Sequence, residues 1–392
     1  MIMIRHLFTL IWNKKRTHSL LIVEIWVSFL VLFGLTSLIV YNVGNYIEPL
    51  GFSYENVWAV NLNNNQDTTG VAEKTQAIFQ RLEAYPEIES VSRMGDNFPF
   101  SGYFNGMGIS YNKVTTQMQH YVTDGQFAKT LNLPLEAGSW YRNVDSVGKY
   151  RPVVINQKAS QSLFGDENPI GKILYDYKGE KGIWKVVGMI DTFKGRGKFS
   201  KNEPVMFELL DGNSADQKTM LLHVKPGTDA LFEAKVVHDI ASMAKGWSVD
   251  VTYLTDAQER QANQTLVPII IFGIVCGFLL INVALGLFGV LNLSIARRRG
   301  EIGLRRALGA TGVSISWQFV GEMWVLATFA LVLGLLLAVQ FPLLNVFNLR
   351  AGIYLTAIGI SIVIIYGIVT LCALFPSQLA ARVQPATALH EE

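Results

Sequence analysis

The stretch LVPIIIFGIVCGFLLINVALGLFGVL, Leu266–Leu291, runs for 26 residues without a charge. At a helical rise of ~1.5 Å per residue it is long enough to cross a hydrocarbon core of ~30 Å. As a complete helix it also hides its own backbone hydrogen bonds from lipid. Three other runs resemble it. Leu20–Tyr41 is broken only by Glu24, Ile315–Gln340 only by Glu322, and Ile353–Phe375 by no charge at all. The whole chain agrees: 50% of its 392 residues are hydrophobic, 16% are charged, and the mean hydropathy is +0.28. Such a composition excludes a disordered chain and does not suit an ordinary soluble protein. The four runs exceed the usual length and hydrophobicity of buried core helices, so the expected fold begins with four membrane spans. The first run is also longer than the ~7–15 residue apolar core of a signal peptide, and no small-x-small site follows it, which predicts an uncleaved anchor.

Basic residues are distributed asymmetrically. Arg5, Lys14, Lys15 and Arg16 precede the first run; Arg297, Arg298, Arg299, Arg305 and Arg306 lie between the second and third; only Arg350 lies between the third and fourth. The positive-inside rule then places both termini and the Arg-rich loop in the cytoplasm. The expected organisation is a cytoplasmic segment 1–19, spans at 20–42, 265–291, 315–341 and 353–376, and a cytoplasmic segment 292–314. A tail at 377–392 is cytoplasmic, while 43–264 and the short turn 342–352 lie outside. Gly273 and Gly277 give a Gly-x-x-x-Gly step in the second span, a pattern that permits close helix approach.

The outer segment reads as α+β. Val57–Leu62 alternates as a strand, Val71–Tyr85 has helical spacing, and Ile88–Met94 reads as a second strand. The far end repeats the pattern with Thr219–Val224, Asp229–Ala244 and Trp247–Tyr253. Two such units predict a ferredoxin-like lobe of βαβ repeats, about 57–117 with 209–254. Between them, 118–208 has short apolar runs and Gly/Pro turns, and predicts an inserted, mostly-β lobe. Within it a helix is expected over Gln157–Phe164, and a hairpin joins Lys172–Tyr177 to Ile183–Ile190.

Several chemistries are absent. The nearest approach to a phosphate loop, Gly165 to Ile173, has five residues between its glycines, a proline among them, and Ile173 where a magnesium-binding hydroxyl belongs. The six histidines have no metal spacing, Cys276 and Cys372 both lie in apolar runs, and no cofactor site is readable. A net charge of only +2 gives no reason to expect nucleic acid as a partner. No catalytic constellation is present, so the chain is not expected to be an enzyme. Glu24 and Glu322, inside apolar runs, read either as ion or proton carriers or as interfacial, helix-packing groups.

The most specific segment is Ile295-Ala296-Arg297-Arg298-Arg299-Gly300-Glu301-Ile302-Gly303-Leu304-Arg305-Arg306-Ala307-Leu308-Gly309-Ala310. On a helix Glu301 is the i,i+4 neighbour of Arg297 and of Arg305. Binding to anionic membrane lipid accounts for the arginines. It does not account for the ordered Glu, Gly, Ile, Ala and Leu, which read as a surface for a protein partner.

This segment is similar to the signature of FtsX-like permeases, the membrane subunits of the MacB-type, mechanotransmission class of ABC transporters (type VII). Asn156–Lys172 with Val186–Ile190 resembles the MacB-like periplasmic core domain of that family, Gln318–Glu322 its third span, and Leu379–Leu389 its cytoplasmic tail. The resemblance implies an inner-membrane permease, without a fused ATPase, that works with a dimer of cytoplasmic ABC ATPase subunits. It also implies a second permease copy or a paralogue beside it, and for some members a periplasmic adaptor and an outer-membrane partner. The expected ATPase-coupling interface is Arg297, Arg298, Arg299, Glu301, Ile302, Gly303, Arg305, Arg306, Ala307, Leu308 and Gly309. Two functions follow from the resemblance. One is export of a drug, peptide or lipoprotein-type substrate; the other is FtsX-like signalling that activates a cell-wall hydrolase or a sensor partner.

Overall fold

The computed structural model describes residues 15–142, 149–178, 182–210 and 217–381. The basic residues Arg5 and Lys14, the expected tail from residue 382 onward, and 179–181 of the expected hairpin turn lie outside the described residues. The chain forms two compact units, one of 1–43 with 266–392 and one of 44–265. In chain order the elements begin with helix α1 (Lys15–Ile47), strand β1 (Val57–Asn63), helix α2 (Val71–Glu83) and strands β2 (Ile88–Met94), β3 (Gly106–Tyr111), β4 (Val114–Thr123) and β5 (Leu135–Gly138). They continue with β6 (Arg151–Asn156), α3 (Gln157–Phe164), β7 (Ile173–Asp176), β8 (Gly182–Ile190), β9 (Val205–Leu209) and β10 (Thr219–Val224). Last come α4 (Ala230–Met243), β11 (Ser248–Tyr253), α5 (Leu254–Arg297), α6 (Arg299–Ala307), α7 (Gly312–Ala338) and α8 (Ala351–Ala381).

The unit 44–265 is α+β. Its outer strands run in the order β11-β1-β10-β2, each pair antiparallel, so strands from the two ends of the segment are interleaved. With α2 after β1 and α4 after β10, this is the ferredoxin-like split βαβ arrangement. Alternation explains its two faces. Trp58, Val60 and Leu62 of β1, with Met220 and Leu222 of β10, pack under Ile78 and Leu82 of α2 and Phe232, Val236 and Ile240 of α4. Those helical residues recur every four positions and so share one face. Asp229 starts α4 as its cap, accepting hydrogen bonds from the backbone of Leu231 and Phe232.

The mostly-β insertion continues the same sheet. It starts earlier than the expected residue 118, which falls inside β4: the β3–β4 hairpin already belongs to it, pairing onward with β7 and β9. The hairpin turns on Asn112 and Lys113, both at positive φ (45° and 69°), the geometry of a two-residue primed turn. The expected helix and hairpin are α3, capped by the Asn156 side chain, and β7 paired with β8. Glu208 of β9 ties three strands together, bonding His120 Nε2 of β4 at 2.8 Å and Arg151 Nη1 of β6 at 2.7 Å. A cluster of rings fills the middle of the unit; Phe193 lies 4.6 Å from Phe52 and 4.9 Å from Phe207, centroid to centroid.

A strap at residues 192–200 grips the segment that follows the first span. Lys194 donates its backbone N–H to Leu50 O (3.0 Å), and its ammonium to Lys198 O (2.7 Å), Asn45 O (2.5 Å) and Glu48 O (3.3 Å). Asn45 Nδ2 donates to Phe199 O at 3.0 Å, and Tyr46 packs on the Phe199 ring. Gly51, at φ 86°, lets the two segments touch: a Cβ there would fall 1.8 Å from Thr192 O, so no other residue fits.

The described residues of the unit 1–43 with 266–392 are mostly helical. Four helices among the described residues are long and apolar enough to cross a membrane. Their common core includes Ile25 and Phe29 of α1, Val283 and Leu287 of α5, Phe319 and Met323 of α7, and Ile365 and Val369 of α8. Gly334 admits the Phe29 ring, which a Cβ would meet at 2.4 Å. Thr36 and Ser361 share a hydrogen bond of 2.9 Å between α1 and α8. Along α5, Ile270, Ile274 and Phe278 are exposed, and nothing lies within 4 Å of where a Cβ would stand on Gly273 or Gly277.

Candidate functional site

The Arg-rich segment folds as a short helix set off from its neighbours. Helix α5 ends at Arg297, Arg298 leaves helical geometry at φ −111° and ψ 15°, and α6 starts at Arg299. Glu301 sits in the first turn and Arg305 and Arg306 in the last, charges of the sign that each end of a helix favours. The end is specified by Gly309. At φ 95° it adopts the left-handed conformation, donating its N–H to Arg306 O, while Ala310 donates to Arg305 O. That pair of bonds is a Schellman cap. Thr311 then starts α7, its hydroxyl accepting from Ser314 N.

Three contacts pin α6 to the helical unit. Ile302 is buried in the same cluster as Ile295, Ile315 and Phe319. Arg298 Nη1 bonds Glu322 Oε1 at 2.8 Å, with both side chains largely enclosed. Arg305 reaches Gln318 at 2.6 Å and Glu301 at 2.5 Å. The opposite face is open. Glu301, Leu304 and Leu308, spaced three and four apart, form one exposed stripe, with Leu308 80% and Leu304 53% accessible and Arg305 at its edge.

The predicted residues therefore divide. Arg297, Arg299, Glu301, Arg305, Ala307, Leu308 and Gly309 are exposed, and Arg306 is half-buried. Ile302 and Gly303 turn inward, so these two members of the expected interface pack within the helical unit and are not on the exposed face. Glu301 pairs with Arg305, one of its two expected neighbours. Arg298 is paired with Glu322, one of the two carboxylates inside the apolar runs. Glu24 lies against α5 at Gly286, where a Cβ would fall 2.9 Å from its carboxylate. Leu304 was absent from the expected interface; its place three residues after Glu301 and four before Leu308 was the available signal.

Comparison with known proteins agrees with this architecture. The FtsX-like permease C-terminal model matches residues 266–385, and the MacB-like periplasmic core domain model matches 27–238. An uncharacterized ABC transporter permease of Methanocaldococcus jannaschii is 25% identical over 97% of this chain and 96% of its own. The macrolide export ATP-binding/permease protein MacB of Campylobacter jejuni is 23% identical over 81% of this chain, which spans 50% of that longer protein. Among solved structures, the periplasmic region of MacB from Actinobacillus actinomycetemcomitans covers 56% of this chain and 98% of its own, at 13% identity and a TM-score of 0.40. With one family model covering more than half of the residues and the other covering three of the four apolar helices, the chain belongs to the family of MacB-type, FtsX-like ABC transporter permeases.

Proposed function

We propose that this permease couples ATP hydrolysis by a cytoplasmic ATPase to motion of its outer domain, and so drives export of a drug, peptide or lipoprotein-type substrate. The observation that carries the reading is the two-sided helix α6. One side is held to the helical unit by Ile302 and the adjoining Arg298–Glu322 pair; the other presents Glu301, Leu304 and Leu308, with Arg305 at the edge between them, bridging Gln318 and Glu301. A segment that only set topology or bound lipid needs positive charge but neither an exposed carboxylate nor a locked back face. A force-bearing contact needs both. The ATPase lies on the side of the Arg-rich loop, with both termini, and 43–264 lies on the other side of the membrane. A second permease copy would pack along the open face of α5, where Gly273 and Gly277 leave the backbone uncovered.

The test is the outer stripe alone. Glu301→Lys and Leu308→Asp should abolish copurification with the ATPase and substrate export, while insertion and thermal stability stay at wild-type values. An anchoring loop predicts the reverse for Glu301→Lys, with unchanged or stronger membrane attachment. Full export by both variants, with the ATPase still bound, overturns the docking reading.

A further inference from the structure

We propose that the helix-free face of the ferredoxin-like lobe binds a neutral saccharide chain. This inference does not rest on the coupling role of α6. A cleft of about 1140 Å³ lies over that face, wholly within the unit 44–265. Its floor is the side of the sheet that α2 and α4 leave uncovered: Asn61 and Asn63 of β1, Asp250 and Thr252 of β11. The sequence of β1 shows the change of character along one face. Val57 and Ala59 enter the aromatic core, and the next two residues of the same face are asparagines.

One wall is the loop 95–105, with Asp96, Asn97 and Asn105; the other is the start of α5, with Arg260, Gln261 and Gln264. Carboxamides are the most numerous polar side chains, and although Asn61 accepts from Thr219 and Asn97 donates to His120 O, each keeps further donor and acceptor capacity; the two carboxylates Asp96 and Asp250 are balanced by Arg260 and Lys218. Carboxamides both donate and accept, which matches hydroxyl and acetamido groups. With two charges of each sign the lining has no net charge to favour a phosphate or other anion, and its mostly polar character gives an acyl chain little to pack against. The size exceeds that of the usual small-ligand pocket and suits several linked units.

The loop wall is built to hold rings at the lip. Phe98 and Phe100 are buried and anchor it; Phe100 sits at φ 67° and donates its N–H to Gly195 O at 2.7 Å. A bulky residue at positive φ costs on the order of 1–3 kcal/mol and persists only where its surroundings hold it. The strained loop leaves Tyr103 74% and Phe104 58% exposed, with the Arg196 guanidinium 5.2 Å from the Phe104 ring. Exposed rings beside planar amides offer the C–H face of a pyranose a stacking partner and its hydroxyls a set of hydrogen bonds.

The experiment uses the full chain in lipid nanodiscs, free of glycoside detergents and of ATPase, so its outcome is independent of coupling. Chitotetraose is titrated by calorimetry, with saturation-transfer NMR reporting which ring protons touch protein. Binding at millimolar concentration or tighter is expected, and Tyr103→Ala and Gln264→Ala should each weaken it about tenfold. Both residues are exposed, so unchanged melting temperatures exclude a folding effect. A neutral octapeptide of glycine and serine is the competitor. No binding of chitotetraose, equal binding by the variants, or binding of the peptide alone along the free edge of β11 would each overturn the proposal.

Discussion

Glu208 carries the clearest pH dependence in the outer domain. Burial opposes its ionisation, but hydrogen bonds from His120 and Arg151 more than offset that and hold the carboxyl below its usual value. A carboxyl whose folded pKa is depressed contributes stability that is complete above the unfolded value of ~4.3 and is lost as pH falls through the folded value. The melting temperature of the full chain should therefore drop between about pH 5 and pH 3. Glu208→Gln should lower it at pH 7 and flatten the acid limb; an unchanged limb would show that other carboxylates set it. Such partners were invisible in the sequence because His120 and Glu208 stand 88 positions apart, and only the parallel pairing of β4 with β9 joins them. Glu322 was ambiguous for the same reason: Arg298 reaches it across a helix break and a capped turn, which no periodicity spans. The i,i+4 pair Glu301–Arg305 needed no tertiary information and was legible.

At the scale of elements, the cap of α6 is the feature whose loss is easiest to isolate. Gly309→Ala places a Cβ at φ 95° with open space around it, so the cost is conformational alone, about 1 kcal/mol. The last turn should fray, and with it the placement of Leu308. Hydrogen exchange at Leu308, Gly309 and Ala310 should quicken severalfold while the amides of α7 keep their protection. Slow exchange throughout would mean that Arg305–Gln318 alone holds the helix. Elements with strong local signals were read to within a residue or two: α2 and α4 from their helical spacing, α3 over Gln157–Phe164, and β7–β8 from short apolar runs on either side of a Gly-containing turn. The β3–β4 hairpin was missed, because its turn is Asn112-Lys113 and a lysine at positive φ has no sequence signature. That one turn moved the expected start of the insertion.

At the scale of the molecule, four apolar runs and the repeat of strand, helix, strand fixed the class of each unit in advance, whereas the interleaved order β11-β1-β10-β2 required the pairing itself. The topology proposed from the arginines has a direct check. With Cys276 and Cys372 replaced by serine, single cysteines at Lys245 and Gly300 should label oppositely in intact cells, an impermeant maleimide reaching only the first. Labelling of both would invert the assignment of one end. The strap at 192–200 offers a different kind of readout. Lys194 is 1% exposed, and its amine is enclosed by three carbonyls, so an acylating reagent can attack it only after the strap lets go. Its rate of modification, set against that of the exposed Lys225 in the same sample, is thus a clock for opening at the exit of the first span. If work done in the cytoplasm reaches the outer domain through that exit, the clock should run faster during ATP turnover than at rest, and a single mass-spectrometric ratio would time the stroke.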